Sequence, residues 1–400
     1  MSLRAAYIVQ ALRSPIGKHR GSLSLVRADD LAAHMITSAL ARAPSLLPRV
    51  DHVVFGATNQ AGEDNRNVAR MASLLAGLPY EVPAVTVNRL CGSGLEAVCD
   101  AARRIATGDA DCVIAGGVES MTRAPYVFGK SEEAFSRTPP KAFDTSLGWR
   151  FENPRMAERF PLQSMGETAE NVADKHGITR EAQDEFALES HRRAVAAQVA
   201  GDFRDEIAPV AIAQKKGDPL VVSSDESPRA DATIGALAKL QPVFRKGGTV
   251  TAGNSSPLND GASAVIVVSE EVVKAEGLDP LARIVTYATA GVEPNLMGEG
   301  PIPAGRKALG RAAWTTRDLD LVELNEAFAA QAIACVRNLE LDPGKVNVRG
   351  GAIALGHPIG SSGCRVLVTL VHAMRARGAK RGMAALCIGV GQGIAMCVER

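Results

Sequence analysis

Short runs of β-branched and other apolar residues alternate along the chain with longer stretches whose apolar positions recur every three or four residues. The short runs read as strands buried on both faces, the longer ones as amphipathic helices. Strands are expected over 6–9, 52–56, 84–87, 112–115, 264–268, 321–324 and 384–388. Helices are expected over 29–42, 68–76, 93–107, 168–176, 180–200, 326–339 and 362–377. This alternation places the chain in the α/β class, with sheets covered by helices.

The pattern contains a degenerate repeat. The run from Asp51 to Gly56 has a counterpart from Asp320 to Asn325, and Val87-Asn88 has one in Val346-Asn347. In both copies a glycine-serine turn opens a helix, at Gly92-Ser93-Gly94 and at Ser362-Gly363. Each helix leads to an apolar strand that ends in glycine, at Gly116-Gly117 and at Gly389. Two similar halves are therefore expected, with a different segment between them. That segment, about 121–258, has weak periodicity and many Pro, Phe, Arg and Ser residues in its first part. It reads as a surface insertion of the kind that contacts substrate.

Composition narrows the class. The 400 residues are 46% hydrophobic and 22% charged, enough to bury a sizeable core. A formal net charge of +1 gives no reason to expect nucleic acid or an anionic membrane as partner. No apolar run approaches the ~18 residues of a membrane span, and residues 1–20 lack the core of a secretory signal, so no leader is expected. The seven cysteines are odd in number, dispersed, and free of any Cys-x-x-Cys pair. Neither a disulfide framework nor a metal site is expected, and a cytoplasmic location is.

Four motifs carry chemistry. In Val87-Asn88-Arg89-Leu90-Cys91-Gly92-Ser93-Gly94-Leu95 a strand ends, a cysteine follows, and a glycine turn launches a helix. A helix N-terminus favours thiolate over thiol, so a lowered Cys91 pKa is expected, with free N–H groups placed to hold an oxyanion. Cys99 and Cys112, on a helix and in a strand, read as core residues. The second motif surrounds His357 with four glycines from Gly350 to Gly360. A histidine so presented can deprotonate a thiol and donate a hydrogen bond to a developing oxyanion.

The third motif, Ala385-Leu386-Cys387-Ile388-Gly389-Val390-Gly391-Gln392-Gly393, delivers a cysteine from a buried strand into a glycine turn. A thiol with an ordinary pKa near 8.5 can give a proton to a carbanion and take one back. Gly389 can offer its N–H to a thioester oxygen. The fourth, Asn325-Glu326-Ala327-Phe328, ends a strand; Asn325 either holds a water or carbonyl oxygen or caps the following helix. No Gly-x-Gly-x-x-Gly follows an early strand and no Gly-x-x-x-x-Gly-Lys-Ser/Thr occurs, so dinucleotide and nucleotide-hydrolysis chemistry lack support.

Together and in this order, the four blocks resemble the thiolase family (acetyl-CoA C-acyltransferases). The likeness extends through Met165-Gly166-Glu167-Thr168 and Thr251-Ala252-Gly253-Asn254-Ser255-Ser256. The resemblance implies a thiolase fold: two similar βαβαβαββ halves in a five-layer αβαβα body. The halves would be 1–120 plus 259–280 and 281–400, with 121–258 as a loop domain. It implies a homodimer or homotetramer and no tightly bound cofactor, coenzyme A and acetyl-CoA being substrates. By the same resemblance Cys91 accepts the acyl group, His357 activates it, and Cys387 is the second acid/base. Asn325 (through a water) and His357 form one oxyanion hole; the N–H groups of Cys91 and Gly389 form the other. Coenzyme A contacts map to Arg229, Ala236, Leu237, Phe244, Ala252, Ser256 and Phe328.

Three positions depart from the common pattern: Val390 and Pro257 stand where many members have glycine, and Ser164 where short-chain biosynthetic members have histidine. The stretches 59–70, 144–151 and 387–393 look most like the 3-oxoadipyl-CoA (beta-ketoadipyl-CoA) thiolases of aromatic catabolism. Arg123, Arg137, Arg150 and Arg155 are candidates to pair with the distal carboxylate of that substrate. The alternatives are an acetoacetyl-CoA thiolase, a fatty-acid β-oxidation thiolase, or a catalytically silent acyl-CoA or lipid carrier on the same scaffold.

Overall fold

In a computed structural model, which describes residues 3–400, the chain alternates strand and helix as the apolar pattern requires. Its main elements are β1 (Ala6–Arg13), α1 (Ala28–Ala41), β2 (His52–Gly56), α2 (Val68–Leu75), β3 (Ala84–Val87), α3 (Ser93–Thr107) and β4 (Cys112–Ser120). The middle segment carries α4 (Met165–His176) and α5 (Arg180–Ala200). Then come β5 (Asn259–Ser269), β6 (Ala282–Gly291), α6 (Pro301–Ala312), β7 (Leu321–Leu324) and α7 (Ala329–Asn338). The chain finishes with α8 (Ile359–Arg377), β8 (Arg381–Ile388) and β9 (Gln392–Glu399).

The strands form one sheet in the order β7-β8-β9-β6-β1-β5-β4-β2-β3. Its two ends are built alike. In one, β3, β2 and β4 are parallel, and β5 and β1 follow antiparallel. In the other, β7 and β8 are parallel, β9 and β6 follow antiparallel, and a parallel bridge from Val322 to Val346 takes the place of β3. The two half-sheets meet edge to edge where Ala6, Tyr7 and Ile8 pair with Ile284, Arg283 and Ala282.

Strand periodicity sorts side chains into layers. Along β4, Val113 and Ala115 enter one core, and Cys112 and Ile114 another. Along β8, Ala384 and Leu386 face one way, Met383 and Ala385 the other. One core joins the inner faces of both half-sheets to α3 and α8, which lie between them. The outer faces are covered by α1 and α2 on one side and by α6 and α7 on the other. The order helix, sheet, helix, sheet, helix is the five-layer body.

The central helices approach backbone to backbone. A Cβ on Gly94 would lie 2.7 Å from the Cys364 nitrogen, one on Gly363 2.3 Å from the Leu95 nitrogen, and one on Gly117 2.1 Å from the Gly360 oxygen. The glycines that open α3 and α8 are therefore required by packing, and that packing brings the two helix N-termini together. Among the described residues no helix is long and apolar enough to cross a membrane.

Candidate active site

Cys91 sits in the elbow between β3 and α3. Leu90 adopts φ +45°. The elbow is tied by its neighbours: Asn88 Oδ1 accepts from Leu90 N–H (2.9 Å), and Ser93 Oγ accepts from Arg89 N–H (2.9 Å) while donating to the Leu90 carbonyl (2.6 Å). The Cys91 side chain takes no part in this bracing and is left free for chemistry. The expected fall in its pKa does not occur. Burial pushes the thiol up, and the Glu119 carboxylate adds to the rise; the N–H groups of Gly389 and of Cys91 itself, aimed at the sulfur, oppose it without prevailing. A helix end favours an anion, but here desolvation is the larger effect.

His357 lies in the loop before α8, fixed from both sides. Asn259 Oδ1 accepts its N–H at 2.9 Å, and Gly356 (φ +112°) has no room for a side chain, because a Cβ would lie 2.5 Å from Asn259 Cγ. Nδ1 is 2.6 Å from the Ser362 hydroxyl, which donates to the Pro358 carbonyl at 2.9 Å. A hydroxyl has one proton to give. Ser362 must therefore accept from Nδ1–H, which leaves Nε2 unprotonated. Burial, and secondarily the Arg365 cation, press the imidazole down to about 3, so it is neutral.

Nε2 faces Asn325 Nδ2 at 3.5 Å, while Asn325 Oδ1 is buried without a hydrogen bond to the protein. Asn325 caps no helix: the helix expected over 326–339 begins at Ala329, with Phe328 at its N-cap. Glu326 is spent on Ser190 Oγ, Asn347 Nδ2 and the Ile353 N–H.

Cys387 is the penultimate residue of β8, at the mouth of a tight hairpin in which it pairs with Gly393, and Ile388 with Gln392. The turn passes through Val390 (φ +64°) and Gly391 (φ +81°). Cys387 is buried in an apolar cluster with Ala327, Phe328, Val250 and Met297, against which Phe244 and Met165 pack. Burial raises its pKa well above an ordinary thiol, and a negative charge on Cys91 would raise it further. Cys387 is therefore a thiol, able to donate a proton. Gly389 approaches Met165 and Leu90.

The residues mapped as coenzyme A contacts divide into two groups. Phe244 and Phe328 meet edge to face, centroids 6.2 Å apart at 86°, next to Cys387. Ser256 joins them through its N–H and hydroxyl, both 3.0 Å from the Ala327 carbonyl. Leu237, with exposed Ala236 before it, lies against Gly253 beside exposed Ala252. Arg229 is exposed, and its backbone N–H reaches His191 Nδ1 at 3.2 Å. Of the four arginines proposed for a distal carboxylate, Arg123 is held by Glu63 (Nε to Oε2, 2.6 Å). Arg150 is half-buried and its guanidinium has no partner among the described residues; Arg137 and Arg155 are exposed.

Ser362 and Glu119 belong to the site although motif reading attached no role to them. Glu119 accepts from Thr58 N–H and Oγ1, Asn59 N–H and Gly360 N–H, clamping the loop after His357 to the first half. Its signal in the sequence is an acid at the end of a long apolar run.

Comparison with known proteins agrees with this architecture. The family model "Thiolase, N-terminal domain" matches residues 6–271 and "Thiolase, C-terminal domain" matches 278–400. The chain is 53% identical over 401 residues to a beta-ketoadipyl-CoA thiolase of Acinetobacter baylyi, covering 100% of both chains. It is 54% identical, again over 100% of both, to the 3-oxoadipyl-CoA/3-oxo-5,6-dehydrosuberyl-CoA thiolase of Escherichia coli K12. The crystal structure of the Bacillus anthracis acetyl-CoA acetyltransferase superposes with a TM-score of 0.94 at 43% identity, covering 100% of this chain and 99% of that one. With both domain models and full-length relatives matched, the chain belongs to the thiolase family.

Proposed function

We propose that the chain is a 3-oxoadipyl-CoA thiolase, cleaving its substrate with coenzyme A to succinyl-CoA and acetyl-CoA. One observation carries the chemistry: the N–H groups of Cys91 and Gly389 converge on the Cys91 sulfur, beside a second protonated thiol, Cys387. His357, neutral and bare at Nε2, takes the Cys91 proton as sulfur attacks the 3-keto carbon. The oxygen that becomes negative is held by the two N–H groups. The C2–C3 bond then breaks, its electron pair leaving as the enolate of acetyl-CoA, and Cys387 supplies the proton that completes this product. A second coenzyme A thiol gives its proton to Cys387 and takes the acyl group from Cys91, whose sulfur leaves and regains its proton from His357. The unpartnered Oδ1 of Asn325 suits a water that, with His357, would hold the thioester oxygen of the departing enolate.

The loop domain, 121–258, would carry most of the coenzyme A contacts, with Phe244, Leu237, Ala236, Ala252 and Ser256, joined by Phe328 from the second half, along the pantetheine and adenine path and Arg229 near phosphate. The names of the full-length relatives support the dicarboxylic substrate, and Arg150, half-buried and without a partner among the described residues, suits its distal carboxylate. The open edge of β3 and the exposed Tyr126, Phe128 and Phe135 support a homodimer or homotetramer.

The test is thiolysis of 3-oxoadipyl-CoA beside acetoacetyl-CoA and a longer unbranched 3-oxoacyl-CoA. The dicarboxylic substrate should have the highest kcat/KM, and Arg150→Ala should lower that preference about tenfold. Faster cleavage of acetoacetyl-CoA overturns the substrate. Cys91→Ser should abolish turnover and still bind coenzyme A; an active variant overturns the scheme.

A further inference from the structure

The helix that follows His357 carries a polar stripe through the otherwise apolar centre of the molecule. Ser362, Arg365 and Thr369 lie on one face of α8, spaced as neighbours on successive turns. Ser362 holds His357 Nδ1, and Thr369 donates to Glu206 Oε1 at 3.1 Å. Between them Arg365, 1% exposed, makes no hydrogen bond from Nε, Nη1 or Nη2 to the protein. Its one close acid is Glu323, with Oε2 3.6 Å from Nη1 and itself unpartnered. Glu323 projects from β7 toward α8, two residues before Asn325, which follows the end of the strand.

Burial pushes the Glu323 carboxyl up to about 8, so near neutral pH the guanidinium faces a largely protonated acid. A cation so poorly matched in a dry interior adds little to stability over apolar side chains of the same size. Its charge calls for another role, and its position supplies one. Arg365 is one helical turn from the hydroxyl that touches the imidazole. The other groups facing His357 are uncharged: Asn325 at the end of β7, Asn259 from β5 and Ser362 on α8. The nearby acid Glu119 is spent on the Thr58, Asn59 and Gly360 contacts, and Glu206 on Arg13 Nε at 2.6 Å. An imidazolium would therefore meet a like charge with little to offset it.

We propose that Arg365 is a positioning residue whose buried cation keeps His357 neutral, so that Cys91 remains a thiol until acyl-CoA binds. The inference rests on the reading of Cys91 and His357 given above. Transfer of the Sγ proton to Nε2 creates a thiolate and an imidazolium, and the guanidinium disfavours the second of these. Once negative charge develops on the substrate oxygen the like-charge cost is offset, and ionisation becomes linked to occupancy. The resting enzyme gains a sulfur shielded from adventitious alkylation.

The test is the rate of inactivation by iodoacetamide between pH 6 and 9, with Cys91 identified as the alkylated site by peptide mapping and acetyl-CoA as protectant. Replacing the pair by neutral side chains (Arg365→Met with Glu323→Gln, or Arg365→Gln with Glu323→Gln should the first not fold) should speed inactivation at pH 7 by about tenfold, one unit of pKa. Arg365→Lys, which keeps the charge, should stay within about twofold of wild type. A purely structural role predicts thermal destabilisation with an unchanged or slower reaction. Unchanged or slower alkylation in the neutral pair, or equal acceleration in Arg365→Lys, overturns the proposal. If the wild type is not labelled at Cys91, or acetyl-CoA gives no protection, the assignment of the nucleophile falls first and this inference with it.

Discussion

The hydroxyl of Ser362 sits 2.6 Å from Nδ1 of His357 and has already given its proton to the Pro358 carbonyl. That pair of contacts leaves Nε2 as the imidazole nitrogen free to take a proton. Ser362→Ala should free the ring to adopt the other tautomer, and kcat should fall about 10- to 100-fold, the usual cost of losing a group that orients a functional histidine. KM for coenzyme A should hardly change. Steady-state kinetics with circular dichroism as a fold control checks this.

Gly166 faces the Phe244 ring so closely that a Cβ would lie 2.1 Å from Cγ. Gly166→Ala should push Phe244 off its edge contact with Phe328. The expected result is a several-fold rise in KM for coenzyme A, with Cys91 alkylation near the wild-type rate, since the elbow is braced elsewhere. An unchanged KM would remove Phe244 from the coenzyme A path.

Val390 holds φ +64°, a conformation costly for a β-branched residue, at the apex of the hairpin that carries Cys387 and Gly389. Val390→Gly should raise stability by about 1 kcal/mol, the relief of strain outweighing the extra flexibility of glycine in the unfolded chain. Urea unfolding measures it. Loss of stability would mean that the half-exposed valine makes contacts worth more than the strain.

Glu323 is pushed up to about 8, chiefly by burial. A carboxyl whose folded pKa lies above its unfolded value contributes stability that is full below about 4.3 and is lost as pH rises to about 8. Thermal melts of Glu323→Gln and wild type should therefore diverge in favour of the variant between pH 5 and 8, by a few degrees, and run parallel above. A constant difference across that range would show that Glu323 is ionised in the native state at pH 5.

Much of the scaffold is legible in the residue pattern. The strands at 52–56, 84–87 and 321–324 and the helices at 93–107 and 180–200 end where expected, because each is bounded by glycine, a cap or a polar break. β6 and β9 escape the pattern. β6 mixes Ala and Thr with only partial burial, and β9 starts inside a glycine-rich stretch that reads as a turn. The helix after Asn325 starts three residues late because Glu326 is drawn inward by Ser190 and Asn347, a contact across 136 residues of chain in the first case. Cys91 and the motif histidine stand out by their glycine settings. Their energetics do not: whether a helix end or desolvation governs Cys91 depends on Glu119 and on the wall of the second half, which no local motif contains.

The junction at Ala6–Ile8 and Ala282–Ile284 joins two copies of one architecture that no longer do the same work. In the scheme proposed above, one copy would supply the sulfur, and the other the base, the proton donor and an N–H that meets the sulfur from across the seam. Neither copy alone holds a working set, so reactivity is a property of the closed pair. A chain still emerging from the ribosome, or one with its second half unfolded, carries Cys91 without the groups that activate it. On that scheme the duplication makes assembly a precondition of turnover, because the sulfur meets its partners only when both halves have folded against each other.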